Sequence, residues 1–166
     1  MRLLLFLSAS LASLAAPAAA LAGAGAHADT GTLVVKNGIA PAGTPVVVLV
    51  IRGAAIGQVT GSGRILIRAE SPADEETAEV TGADWQKDKG DQGRLWGGPG
   101  FRFRAVGGIY TITIWGSGVN LVASGRGSVV LTGSPEAPLR DGEYSLNGGD
   151  FKSLPSTATR PLPIGG

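Results

Sequence analysis

Two tryptophans lie in a polar, glycine-rich part of the chain that the sequence predicts to be a long loop. Binding residues are often found on such loops. Trp85 and Trp96 flank a segment rich in charged residues and glycine, DWQKDKGDQGRLW. Exposed indole rings on a β-scaffold can stack on sugar rings, whereas buried indoles fill a core and pair their N–H with an acceptor. Both alternatives stay open at this point, and Trp85 and Trp96 are the aromatic candidates for ligand binding.

The same region concentrates carboxylates, which raises the question of glycoside hydrolysis or calcium binding. Glycosidases use a pair of Asp or Glu side chains, but here the acids are interspersed with Lys and Arg, as in a solvated, charge-balanced loop. Asp88 and Asp91 do not meet the spacing of an EF-hand calcium loop. We therefore predict no catalytic residue, no metal site and no cofactor. The acids concerned are Asp74, Glu75, Glu76, Glu79, Asp84, Asp88 and Asp91.

The composition also disfavours nucleophilic catalysis. The chain has no cysteine and a single histidine, His27, which precedes the signal cleavage site that we prefer. Ser-His and Cys-His mechanisms need a base that the processed chain would lack. The glycine patterns of nucleotide-binding loops are missing as well. We expect a protein that is not an enzyme.

Four arginines occur as two pairs with the spacing of one strand face. Arg64 and Arg68 lie in RILIRA, and Arg102 and Arg104 lie in FRFRAV. Residues at i, i+2 and i+4 share a face of a strand. If the two strands were neighbours, four guanidinium groups would line one surface and could bind carboxylates or phosphates of a polymer. The alternative is that they keep the outer face of a sheet soluble.

These candidates must be positioned by short strands. Apolar or alternating runs are bounded by Gly, Asn, Pro and Ser, and no amphipathic helix is evident. Regularly spaced glycines at 107–108, 116–118 and 125–127 predict hairpin turns, as does Asn37-Gly38. The predicted fold is all-β, an antiparallel β-sandwich or small barrel of short Gly-linked strands, with a β-helix-like stack as the alternative.

Some segments give more specific predictions. Residues 46–52, VVVLVIR, predict a central strand covered on both faces. Residues 70–100 predict a long irregular loop, in which SPADEETAEV permits a short helix capped by Ser71 or a strand over 77–81. Tyr110 and Trp115 are separated by an odd number of residues, which predicts opposite faces of one strand.

The ends of the chain predict export and a flexible tail. Arg2, an apolar run and small residues indicate a Sec-type signal peptide over 1–28. Ala26-His27-Ala28 is the preferred cleavage site, with Ala20-Leu21-Ala22 as the competitor. A single all-β domain over 29–154 and a flexible tail over 155–166 without an apolar anchor would follow. We predict a secreted or cell-envelope location and no stable membrane span after cleavage.

The exported chain would be electrically neutral. Lys and Arg number 14 against 13 Asp and Glu, and Arg2 leaves with the signal peptide. A neutral domain has no long-range field that attracts nucleic acid. We expect no nucleic-acid partner, and a cell-wall polysaccharide or another envelope protein as the partner instead.

Three segments carry a resemblance: GSGRILIR, FRFRAVGGIYTITIWGSGVNLVASGRGSVVLTG and GEYSLNGG. Together they resemble short secreted bacterial β-rich proteins of unassigned function, over residues 61–151. The resemblance implies a fold and no site residue. The sequence thus predicts a secreted non-catalytic binding or structural module of the bacterial cell envelope or exterior, with Trp85, Trp96 and the arginines as its binding residues. A carboxylate-dependent hydrolase and a protease-inhibitor-like binding protein are the alternatives.

Overall fold

The computed structural model describes residues 29–135 and 142–166, and the predicted signal peptide lies outside these ranges. Eleven strands form one antiparallel sheet, so the all-β prediction is confirmed. The strands are β1 Gly31–Gly38, β2 Val47–Val59, β3 Gly63–Ala69, β4 Ala78–Thr81, β5 Trp85–Asp88, β6 Arg94–Gly98, β7 Phe101–Gly116, β8 Val119–Leu131, β9 Glu143–Leu146, β10 Lys152–Ser153 and β11 Leu162–Ile164. A one-turn helix, α1 Pro72–Glu75, and a 3₁₀ turn, Gly90–Gln92, complete them.

Three long strands, β2, β7 and β8, connect the two halves of the fold. Neighbouring strands follow the order β10-β9-β1-β8-β2-β7-β3-β6-β5, with β11 beside β8 and β4 beside β7. The first half of β7 pairs with β4 and its second half with β3, while β8 pairs first with β1 and then with β11. The sheet therefore folds over one core as a β-sandwich does. It does not close into a barrel, and its antiparallel ladders exclude the β-helix-like stack.

The long strands bend where their glycines meet. Gly53 of β2 lies opposite both Gly125 of β8 and Gly108 of β7. Gly107 is the extra residue of a β-bulge and has a φ of 82°. A Cβ on Gly53 would lie 2.2 Å from the carbonyl oxygen of Ser124, so the close approach of β2 and β8 requires glycine. We call Gly53, Gly107, Gly108 and Gly125 the glycine corner.

The predicted hairpin turns do not form at these glycines. Residues 107–108 and 125–127 lie inside the continuous strands β7 and β8, and 116–118 links two strands that are separated by β2. Asn37-Gly38 does not turn into a hairpin either, because β1 pairs with β8 and β9 rather than with β2. Glycine provides a bend as readily as a turn, and spacing alone does not separate the two.

Two of the loops are bonded to each other. The connection from β2 to β3 meets the connection from β7 to β8, because the N–H of Thr60 donates to Gly118 O at 3.1 Å and that of Gly61 donates to Ser117 O at 3.0 Å. Neither connection joins strands that are neighbours in the sheet. These two hydrogen bonds hold the C-terminal ends of β2 and β7 next to each other.

The buried positions follow the bend. In β7 the odd residues of 101–105 are buried, whereas in 110–114 the even residues are buried. The bulge at Gly107 changes the parity, so both halves of the strand bury their apolar side. Tyr110 is buried and Trp115 is partly exposed, which confirms their placement on opposite faces. Residues 47–52 do belong to the central strand β2, but Val50 is 43% exposed, so the predicted cover on both faces is wrong.

The segment 70–100 is more regular than predicted. Ser71 caps α1, its Oγ accepting the Asp74 N–H at 3.2 Å, and β4 follows directly. The helix and the strand that the sequence offered as alternatives thus occur one after the other. Strands β5 and β6 continue the sheet beyond them. The predicted long loop therefore contains three short strands, a one-turn helix and a 3₁₀ turn.

The C-terminal residues belong to the sheet. Strand β11 pairs with β8, and Ile164 is 1% exposed. The N–H of Gly165 donates to Asn147 Oδ1 at 3.2 Å. The tail that the sequence predicted to be flexible over 155–166 thus includes a strand that pairs with β8 and places Ile164 in the core. In the described ranges, no helix combines the length and the apolar composition that a membrane-spanning helix requires.

Candidate functional site

The two candidate tryptophans have different environments. Trp85 lies on β5 and is 47% exposed. Trp96 lies on β6, is 8% exposed, and belongs to the hydrophobic core. The Trp96 Nε1–H donates to Gln86 Oε1 at 3.2 Å, which satisfies the buried indole. Of the two rings, only that of Trp85 presents a surface on which a ligand could stack.

The register of β3 and β7 separates the arginine pairs. The two strands are neighbours, as the shared surface required, but Arg64 and Arg68 lie beside residues 110–116 of β7. Arg102 and Arg104 lie on the first half of β7, on the other side of Gly107. The expected surface of four arginines is not formed. Each pair belongs to a different part of the sheet.

Trp85 and Arg64 belong to a row that crosses four strands. Trp85 lies opposite Gly97, Gly97 opposite Arg64, and Arg64 opposite Trp115. The guanidinium carbon of Arg64 lies 4.7 Å from the ring centroid of Trp115, within the range of a cation–π contact. We call Trp85, Arg64 and Trp115 the aromatic platform. Trp115 was missed as a site residue because its position beside Arg64 depends on register.

Gly97 makes room for the Trp85 ring. A Cβ at position 97 would lie 2.3 Å from an atom of that ring. The indole therefore packs closely against the backbone of β6 at Gly97, and about half of the residue remains exposed to solvent. This contact fixes the ring without enclosing it.

A groove of about 350 Å³ runs beside the aromatic platform. Its opposite wall is a turn in which the Thr44 N–H donates to Pro41 O at 2.9 Å. Within residues 29–135 and 142–166, the one ion pair joins Arg126 to Asp29, so Arg64 has no carboxylate partner there. The remaining lining residues are Ala40, Pro41, Ala42, Gly43, Thr44, Ser62, Gly63 and Gly116.

Two of the acidic residues bond to the backbone. Asp74 Oδ2 accepts the Ile109 N–H at 3.3 Å, and Asp88 Oδ1 accepts the Gly90 N–H at 2.7 Å. These carboxylates stabilise the junction of α1 with β7 and the 3₁₀ turn. In the part of the chain that the structure describes, no three His, Asp or Glu side chains are placed to hold a metal ion.

The platform offers groups that are suited to non-covalent contacts. It combines an exposed ring, a guanidinium group held by a second ring, and an adjoining open groove. Comparison with protein-family models, with curated proteins and with solved structures finds no significant match to this chain.

Proposed function

We propose that this chain is an exported, non-catalytic binding module and that its aromatic platform binds a polysaccharide of the bacterial cell envelope. The observation that carries the proposal is the row Trp85, Gly97, Arg64 and Trp115, in which an open indole face lies next to an arginine held by stacking. The signal-like N-terminus supports export.

The platform suits a sugar because a pyranose ring has an apolar face and a polar edge. The Trp85 indole offers a flat apolar surface for the C–H face of the sugar, and Arg64 offers N–H donors for hydroxyl, acetamido or carboxylate oxygens. Both groups are held before a ligand arrives, Trp85 by Gly97 and Arg64 by Trp115. Less rotamer entropy is therefore lost on binding.

The open groove suits a polymer better than a small metabolite. Small ligands are usually buried for most of their surface, whereas this groove lies open to solvent between the aromatic platform and the 40–44 turn. A chain can pass along it without its ends being recognised. An acidic or N-acetylated polysaccharide suits Arg64, whose guanidinium stacks on Trp115 and has no carboxylate partner in the described ranges.

Retention on envelope polymers tests the proposal. The purified protein is mixed with insoluble peptidoglycan, and in parallel with neutral and acidic polysaccharides, and the bound fraction is measured after sedimentation. Trp85→Ala should lower the affinity about tenfold, the scale of a lost aromatic contact. Phe151→Ala removes another exposed ring, distant in sequence from the platform, and should leave binding unchanged. Absence of binding to every polymer, or equal binding by the two variants, would contradict the proposal.

A further inference from the structure

A second and larger groove lies on the outer face of the other half of the sheet. Its volume is about 580 Å³, and β1, β8, β2, β7 and β4 all contribute to it. The lining residues on which the argument rests are Val34, Ile56, Glu79, Arg102, Arg104 and Val122. The aromatic platform contributes no residue to this groove.

The floor of the groove is aliphatic. Val34 pairs with Val122, and Val122 pairs with Ile56, so three branched side chains lie side by side across three strands. Val122 is 55% exposed and Ile56 is 51% exposed. These side chains lie in the middle of the sheet, where adjacent exposed apolar groups indicate a surface that is covered by a ligand or partner.

The rim of the groove is basic. Arg104 continues the aliphatic row on β7, and Arg102 lies two residues before it on the same face. Lys36 stands on the far side, with its Nζ 3.8 Å from the ring centroid of Phe151. Glu79 also lines the groove and lies directly opposite Arg104 in the β4–β7 ladder, although no ion pair in the described ranges joins it to either arginine. The three cations Lys36, Arg102 and Arg104 outnumber this one carboxylate. An apolar floor beside two guanidinium groups that form no ion pair in the described ranges is complementary to an anionic amphiphile.

We propose that this groove binds a fatty acid, with its alkyl chain along Val34, Val122 and Ile56 and its carboxylate on Arg102 and Arg104. Guanidinium groups bind carboxylates through paired, charge-assisted hydrogen bonds. From β1 to β7 the row crosses three interstrand spacings, about 14 Å, which is the scale of a medium-length alkyl chain.

The backbone of the floor explains why an alkyl chain fits better than a peptide. Strands β8 and β2 are paired on both sides around Val122 and Ile56, so their N–H and C=O groups are already used in the ladders. A peptide laid on this face would leave its own backbone groups unpaired, at a free-energy cost. An alkyl chain has no polar groups along its length and meets only apolar side chains.

Titration calorimetry with octanoate, decanoate and decanol tests the ligand chemistry. We expect saturable binding of one decanoate, with the affinity rising about fourfold for each methylene between octanoate and decanoate. Decanol, which has the chain without the charge, should bind about tenfold more weakly. Absence of saturable decanoate binding, or equal binding of decanol, would overturn the proposal.

Matched variants test the location. Val122→Thr should lower decanoate affinity about fivefold, and the double variant Arg102→Gln/Arg104→Gln should lower it about tenfold without weakening decanol. Val50→Thr changes a similarly exposed valine outside the groove and should have no effect. Equal loss in Val50→Thr and Val122→Thr would overturn the site.

Two further measurements separate competing occupants and the two proposals. Sedimentation velocity without ligand should show a monomer, and a dimer that Val122→Thr dissociates would assign the groove to a second copy and overturn the proposal. Trp85→Ala should leave decanoate binding unchanged, because Trp85 does not line this groove. The decanoate measurements therefore test the fatty-acid site independently of the polysaccharide-binding proposal.

Discussion

Gly53 and Gly125 lie directly opposite each other in the β2–β8 ladder, and neither tolerates a side chain. A Cβ on Gly53 would lie 2.2 Å from the carbonyl oxygen of Ser124, and one on Gly125 would lie 2.2 Å from that of Arg52. The two strands approach closely at the point where the sheet folds over itself. This contact places the aromatic platform and the larger groove, whose lining includes Arg102 and Arg104, on different halves of the sheet.

Gly125→Ala should destabilise the protein strongly. The added Cβ meets backbone rather than a movable side chain, and Gly125 has a φ of 153°, so we expect a loss of roughly 3 kcal/mol or more in the free energy of unfolding. Denaturant titration followed by circular dichroism measures it. Gly43→Ala is the control: its φ is 83°, but no described atom lies within 4 Å of the new Cβ, so strain alone should cost about 1 kcal/mol. Equal losses would contradict the close-approach explanation.

Gly97→Ala should damage the aromatic platform without unfolding the sheet. The new methyl group would lie 2.3 Å from the Trp85 ring, and this exposed ring can move away. We expect a polysaccharide affinity close to that of Trp85→Ala, about tenfold below the unchanged protein, and a shifted tryptophan emission. A variant that keeps full affinity with a displaced ring would remove Trp85 from the binding surface.

Trp96→Phe should affect stability and leave binding unchanged. The indole is buried, and its Nε1–H bonds to Gln86 Oε1 at 3.2 Å. Losing this bond and part of the ring should cost about 1–3 kcal/mol of unfolding free energy. Trp85→Phe is the matched comparison and should change stability by about 0.5 kcal/mol or less, because its ring is exposed. If Trp96→Phe lost polysaccharide binding while its stability stayed unchanged, Trp96 would contact the ligand, contrary to this prediction.

Ile164→Ala tests whether the C-terminal strand stabilises the domain. Ile164 is almost fully buried and pairs with Gly127 of β8. Removing a buried isoleucine side chain costs about 2–5 kcal/mol, and thermal unfolding should show a lower midpoint. Thr157→Ala changes an exposed residue of the same segment and should have little effect. A midpoint equal to that of the unchanged protein would mean that β11 contributes little.

The sequence predicted features that depend on local spacing. Alternation and β-branched residues indicated an antiparallel all-β fold, and the odd separation of Tyr110 and Trp115 placed them on opposite faces. Ser71 indicated a helix start that α1 confirms, because an N-cap bond needs only the next few residues. Such features involve groups that are close along the chain, so composition and period suffice to predict them.

Tertiary structure decided the features that depend on register and on glycine geometry. Arg64 meets Trp115 rather than the other arginines because the β3–β7 register is set by the summed pairing and burial of the whole strand. Gly107 and Gly125 bend strands, although the same residue type also permits turns, and only their distant partners distinguish the two. The burial of Trp96 and the assembly of both grooves depend on the same long-range pairing, which no single segment of this chain encodes.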